Sequence, residues 1–425
     1  MREMKDSKVK WLGEIPLEWK VERVKHGFVR KKTEAHQDNP IVLSLARTGV
    51  RERDISNNEG QIAESYYNYN PVDVDDLLIN PMDLYSGANC SISKISGVIS
   101  PAYVNLRYRE GYNPQYYDYY FKLQYWLMAF FAHGKGVSYE NRWTLNAETL
   151  MNYPIIVPTQ CEQRKIVDYL DAKCSKTDEI IEKQQAIIEK LKEYKLSIIT
   201  EAVTKGINPN VEIKDSGIEW IGYIPKCWNI SRFKYLSSEI GDGLHSTPVY
   251  DSEGDYYFMN GQNIGNEKLV FSDKTDRLNE LEYMKYKKPL LSENTIFITL
   301  NGATYGKSSF YNGEKVLLGK SAGYITLKSS ENKRYIRYYL QSRTAKIFME
   351  LSLCGSTIAN LSLKTLNEFI IPLPSEDEQR RIVDFLDVRC KLIDHNIDEK
   401  GKIVEKLQEY KKSLIYEVVT GKKEV

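Results

Sequence analysis

The sequence predicts an α+β protein in which two globular α/β domains are separated by two long antiparallel coiled-coil helices, the whole built as an internal pseudo-twofold repeat. Three observations carry this expectation. Asp6 to His26 (DSKVKWLGEIPLEWKVERVKH) returns as Asp215 to Tyr235 (DSGIEWIGYIPKCWNISRFKY) with nine of 21 positions identical. Gln163 to Thr204 returns as Gln379 to Thr420 with 22 of 42 identical. Between these blocks, Gly27 to Cys161 and Leu236 to Asp377 barely resemble each other. A chain that duplicates its frame while varying what the frame encloses reads as one machine holding two different payloads.

Bulk properties narrow the classes. The chain has 425 residues and is 42% hydrophobic, room for about two to four cored domains. No run approaches the roughly 18 apolar residues of a membrane span. The opening MREMKDSKVKW has no apolar signal core, so a cytoplasmic protein with no membrane partner is expected. Net charge is only +1, a faint footprint for a protein that meets nucleic acid alone. Such a protein would share the task of binding with a partner. The six cysteines (Cys90, Cys161, Cys174, Cys227, Cys354, Cys390) form no CxxC pair, and the five histidines no HExxH or H-x3-H spacing. Neither a disulfide framework nor a metal is expected.

Taken in order, the first insert carries an aromatic stretch, Gln115 to Phe131, apolar around most of its circumference and so a buried domain helix. It closes with LNAETLMNYPIIVP at 145–158. Pro158-Thr159 then starts a helix running from Glu162 to about Thr204. Its seam is Leu170, Cys174, Thr177, Ile181, Ile188, Leu191, Ile198 and Ala202, a heptad pattern once Gln184 and Lys195 fill the gaps. The second insert contributes β-rich pieces at 294–300, 315–318 and 323–327, an aromatic stretch from Arg334 to Phe348, and the tail LSLKTLNEFIIPLP. Pro374-Ser375 starts the twin helix, with Glu376, Asp377 and Glu378 favoured by the helix dipole. Its seam is Leu386, Cys390, Ile393, Ile397, Val404, Leu407, Leu414 and Val418, and the paired cysteines Cys174 and Cys390 serve as small hydrophobes there. At about 40 residues each helix would be roughly 60 Å long. A twofold axis across them would set them antiparallel, with the inserts at opposite ends of the rod. The division expected is 1–158, 159–208, 209–374 and 375–425.

Enzymatic motifs fail on spacing. In NGATYGKSS at 301–309, Gly302 and Gly306 enclose three residues where a P-loop needs four, and no helix is expected to follow. Asn80-Pro81-Met82-Asp83 lacks the second proline and the aromatic of an adenine methyltransferase motif. Asp398-Glu399-Lys400 falls inside a predicted helix, where a solvated face explains it. No cofactor is called for.

The paired EQRKIVDYLD at 162–171 and EQRRIVDFLD at 378–387, the W-x-G-x-I-P-x-x-W openings, and GDGLHSTPVY at 241–250 resemble the specificity subunit of type I restriction-modification enzymes, over essentially the whole chain. The resemblance implies a subunit without catalysis of its own. Residues 1–158 and 209–374 would be target recognition domains, each reading one half of an asymmetric bipartite duplex DNA site. The spacer helices 159–208 and 375–425 would hold them at fixed separation and dock two methyltransferase subunits, with restriction subunits as further partners of the complex. A self-contained methyltransferase or ATP-dependent enzyme with its own specificity domains, and a coiled-coil adaptor for proteins, are the alternatives.

Base readout favours Arg, Asn and Gln, while Lys, Ser, Thr and Tyr often hold phosphates, and glycine-rich polar loops are where such side chains reach outward. In the first insert this selects Arg47, Thr48, Arg51 and Arg53, then Tyr85 and Asn89, then Ser138, Tyr139, Asn141 and Arg142. In the second it selects Asp242, His245, Ser246 and Thr247, then Asn260, Gln262 and Asn263, then Asn301, Thr304, Tyr305 and Lys307.

Overall fold

The computed structural model describes residues 2–46, 48–55, 63–82, 84–85, 89–138, 143–286, 291–328, 332–353 and 360–425. The chain divides into two compact units. One is Met1–Gln184 joined by Lys402–Val425, and the other is Gln185–Gly401. Each unit therefore contains one insert, the beginning of the long helix that follows it, and the end of the other long helix.

The two units build the same architecture from unlike sequence. Each opening repeat is a two-stranded antiparallel ribbon, Met4–Asp6 with Glu14–Pro16 in the first and Ile213–Asp215 with Tyr223–Pro225 in the second. The repeated tryptophans that follow, Trp19 and Trp228, are fully buried, which explains why this block is duplicated so faithfully. Next comes a strand paired with the insert's closing tail: Lys20–Arg23 with Pro154–Val157, and Asn229–Arg232 with Ile370–Leu373. The body of the insert is a four-stranded antiparallel sheet. In the first unit its order is Phe28–Lys31, Val104–Tyr108, Leu77–Ile79, Cys90–Ile92. In the second it is Ser237–Asp242, Ala322–Leu327, Thr295–Thr299, Ser308–Phe310. The central strands Leu77–Ile79, Thr295–Thr299 and Ala322–Leu327 are buried at every residue, as strands covered on both faces must be.

The aromatic stretches pack against these sheets as helices, but each is broken in two. Pro114–Trp126 gives way to Ala129–Ala132 at Met128, whose φ is 55°, and Lys333–Gln341 gives way to Arg343–Ser352 at Ser342. Ser342 is extended, and its hydroxyl accepts from the Ala345 amide, so a new N-cap ends one helix and begins the next. The first helix of each pair is capped by an asparagine, Asn113 or Asn332. Counted from those caps, Tyr116, Tyr119 and Tyr120 coincide with Tyr335, Tyr338 and Tyr339. The Tyr116 hydroxyl donates to the Val419 carbonyl (2.9 Å) and Tyr335 to Val203 (3.2 Å), while Tyr119 reaches Asp171 (2.7 Å) and Tyr338 reaches Asp387 (2.8 Å). Every one of these partners lies in a repeated helical block. The same tyrosines thus fasten each insert to both helices of its own unit.

The long helices run Gln160–Lys205 and Glu376–Val419. The first starts on a capping box, Thr159 with Glu162, and at the second the Ser375 hydroxyl accepts from the Glu378 amide. In the first unit Leu170 and Cys174 are buried in one core with Leu414 and Val418; in the second Ala202 and Val203 share a core with Leu386 and Cys390. The helices are antiparallel in both. The seam lysine Lys195 is satisfied rather than stranded: it pairs with Asp394 at 2.6 Å, and its repeat counterpart Lys411 pairs with Asp178, the counterpart of Asp394, also at 2.6 Å. No helix among the described residues is long and apolar enough to cross a membrane.

Candidate nucleic-acid interface

In the second unit three candidate loops meet on one turn, Gly319–Ala322. The first leaves the strand Ser237–Asp242. Gly243 donates to the Ala322 carbonyl and Leu244 to Leu318, which presses the chain against this turn so closely that a Cβ on Gly243 would strike the backbone of Leu318 and Gly319. His245, Ser246 and Thr247 follow, all exposed, with the His245 ring 2.7 Å from the Asp242 carboxylate. Asp242 thereby orients the histidine. The second loop leaves Tyr256–Met259; the Gly261 amide donates to Ser321 Oγ (2.8 Å), which in turn donates to Asn260 Oδ1 (3.2 Å). The third is the connection between Thr295–Thr299 and Ser308–Phe310. Thr299 Oγ1 donates to the Gly261 carbonyl at 3.2 Å, and Leu300 N to the Ser321 carbonyl. An open cleft of about 500 Å³ results, lined by Asn260, Gln262, Thr299, Asn301, Thr304, Lys307 and Ser321. The 301–307 segment closes a β-hairpin, so no helix follows it to complete a phosphate loop.

Not every candidate is available at that edge. Gln262 and Thr304 are exposed, and Asn301 and Lys307 are half-buried along the cleft. Asn263 is buried with both ends of its amide consumed, accepting from Asn260 N and donating to Val270 O. Tyr305 leans on the hydrophobic core of the unit. Conversely, sequence reasoning passed over Ser321 and Thr299, which hold the loops together, and Lys320, an exposed cation on the turn they share. Neither Lys307 nor Lys320 has an acidic partner among the described residues.

The first unit repeats the plan. The strand Leu43–Ala46 leads into a hairpin with Gly49–Glu52 whose tip carries Thr48, and Arg51 stands exposed on the return strand. Val42, just before it, bridges Val98 in parallel, as Tyr256–Met259 pairs in parallel with Val316–Leu318, so this tip is the counterpart of the Asn260–Gln262 loop. Asn89 donates to the Ala46 carbonyl at 2.6 Å, the same brace that Thr299 provides in the second unit. Tyr85 is exposed, its ring 6.2 Å from Phe131, and Phe131 lies against Trp143. Ser138, also exposed, belongs to the segment closed by the Lys135–Thr144 bridge, and Leu145 N donates to Pro81 O as Leu361 N does to Leu300 O. Arg53 continues from the hairpin, its amide donating to Val42 O. Arg47, Tyr139, Asn141 and Arg142 lie outside the described residues. Among the described residues no group of His, Cys, Asp or Glu could hold a metal ion.

The family described as the type I restriction modification DNA specificity domain matches residues 245–413. The chain is 25% identical over 359 residues to the type I restriction enzyme MjaVIII specificity subunit of Methanocaldococcus jannaschii, spanning 82% of this chain and 80% of that protein. It is 22% identical over 388 residues to the EcoBI specificity subunit of Escherichia coli, spanning 85% and 76%. A solved chain from work on complex assembly and conformational transition of the type I R-M system superposes with a TM-score of 0.69 at 17% identity, covering 95% of this chain and 98% of that one. Fold, doubled frame and relatives agree: the chain carries a type I restriction modification DNA specificity domain over 245–413 and is similar along most of its length to specificity subunits of type I restriction enzymes.

Proposed function

We propose that each unit reads one half of an asymmetric bipartite duplex site through its three-loop edge, with 1–158 and 209–374 as the recognition domains and 159–208 and 375–425 as spacers. The observation that carries this reading is the repetition of one loop scaffold with different side chains. Thr48, Arg51, Tyr85 and Ser138 occupy it in one unit; His245 to Thr247, Gln262, Asn301, Thr304 and Lys307 occupy it in the other. A fixed scaffold with exchanged polar residues is what two unlike half-sites require. The long helices supply the partner surface. Ile187 and Tyr194 are exposed one heptad apart on the first helix, and their repeat counterparts Ile403 and Tyr410 on the second, which supports two equivalent methyltransferase docking sites. Restriction subunits would join through that complex, in the cytoplasm where the DNA is.

Purified chain alone, and with its methyltransferase subunit, is mixed with a random-sequence duplex pool and the bound fraction sequenced. A split motif enriched with the partner, and no methylation by the chain alone, is expected. Absence of any enriched sequence overturns the reading, and turnover by the isolated chain would make it an enzyme.

A further inference from the structure

Counted from the helix caps Asn113 and Asn332, the position of Asp118 in the first unit is the position of Arg337 in the second. Both charged side chains are sunk beneath the strand that closes the third reading loop. Arg337 is 5% exposed; its Nε donates to the Ser308 carbonyl (3.4 Å), its plane lies 5.2 Å over the Phe310 ring, and Nη1 is 3.7 Å from Glu267. Ser308 ends the 300–307 loop. Glu267 belongs to the segment that follows Gln262, and its carbonyl accepts from Phe310 N. One buried guanidinium therefore ties two reading loops together from below. Asp118 pairs with Lys122 at 2.6 Å, and its other carboxylate oxygen is buried without a hydrogen-bond partner near the amide of Ile92, the counterpart of Phe310. Burial pushes its carboxyl up, with Lys122 pulling it down.

A buried charge is costly, and an apolar side chain of similar volume would pack there at less cost. Opposite charges at one equivalent position, each beneath the equivalent strand of its own unit, are not explained by packing. They are explained if each fixes the height and register of its own loop. We infer that Arg337 and Asp118 are positioning residues for base discrimination, each governing the half-site read by its own unit without touching DNA.

This rests on the two-reader proposal. Failure of wild-type protein with its methyltransferase subunit to select a split motif would refute that proposal, not this one. With the motif in hand, binding is measured to the selected duplex and to duplexes scrambled in one half at a time. Arg337→Met is expected to lower preference for one intact half-site about tenfold while the other changes less than about twofold. Glu267→Gln should weaken the same half by less, and Arg337→Lys should recover part of the loss. Asp118→Asn should act on the opposite half. A merely structural role would lower binding to all duplexes together and leave the ratios alone, which overturns the inference. Should Arg337→Met fail to fold, Glu267→Gln decides, since Glu267 is 72% exposed: an unchanged ratio in it and in Arg337→Lys is equally fatal.

Discussion

Lys307 sits half-buried in a cleft whose other walls are amides and hydroxyls. On the proposed reading an ammonium in such company would contact a phosphate, whereas Gln262 would address a base edge. Lys307→Ala should weaken every duplex alike and flatten the dependence of log affinity on log salt by about one unit, while Gln262→Ala should cost about 1–3 kcal/mol of discrimination at one base pair. Titrations at several salt concentrations separate the two; a Lys307→Ala variant that changed base preference at constant slope would place Lys307 on a base instead. Loop identity was legible at this scale because glycine and small polar residues mark where a backbone turns outward. What each asparagine does was not. Asn263 looks like Gln262 in sequence, and only the Asn260 amide and the Val270 carbonyl reveal that its side chain is consumed internally. Lys320 carried no motif, and it matters only because pairing of distant strands brings its turn beneath three loops.

The long helices were the most legible elements, since a heptad seam is a periodic signal that depends on no distant pairing. Leu386, with no exposed surface, is such a seam residue, and Leu386→Ala should cost about 2–5 kcal/mol, read by chemical denaturation. The paired Lys195–Asp394 and Lys411–Asp178 contacts are half-exposed, so removing either lysine should cost no more than about 1 kcal/mol. Inserting one heptad after Glu189 lengthens that helix by roughly 10 Å and keeps its seam. The half-site sequences should be retained and the preferred gap between them should widen, measured on duplexes differing only in spacer length; an unchanged optimum would separate these helices from spacing. The aromatic helices were legible as helices but not as broken ones. Nothing in QYYDYYFKLQYWLMAFF announces that Met128 takes a left-handed turn. Alignment of YYDYY with YIRYY was available in the sequence and would have exposed the tyrosine fastening.

Across the whole molecule, two inserts that share little sequence share a strand order. Hydrophobic pattern constrains which faces are buried and not which strands pair, so this likeness emerges only in three dimensions. It predicts that residues 209–374 can be replaced by the corresponding segment of a relative, altering one half of the target and sparing the other, as sequencing of methylated sites would show. A change in both halves would refute the separation.

The division of the chain into units also bears on its synthesis. Gln185–Gly401 is continuous, whereas the unit holding the first insert also needs Lys402–Val425, where Val418 and Val419 complete its core and Lys422 bonds the Leu12 carbonyl. Domains generally fold as they leave the ribosome, N-terminal first. Here the order is inverted: the unit translated first must wait, its apolar floor uncovered, for residues 402–425 to emerge, while the unit translated second is complete once Gly401 has emerged. A chain stalled once Gly401 had cleared the ribosome would present a complete second unit and an incomplete first one, and a chaperone would be expected to favour the first.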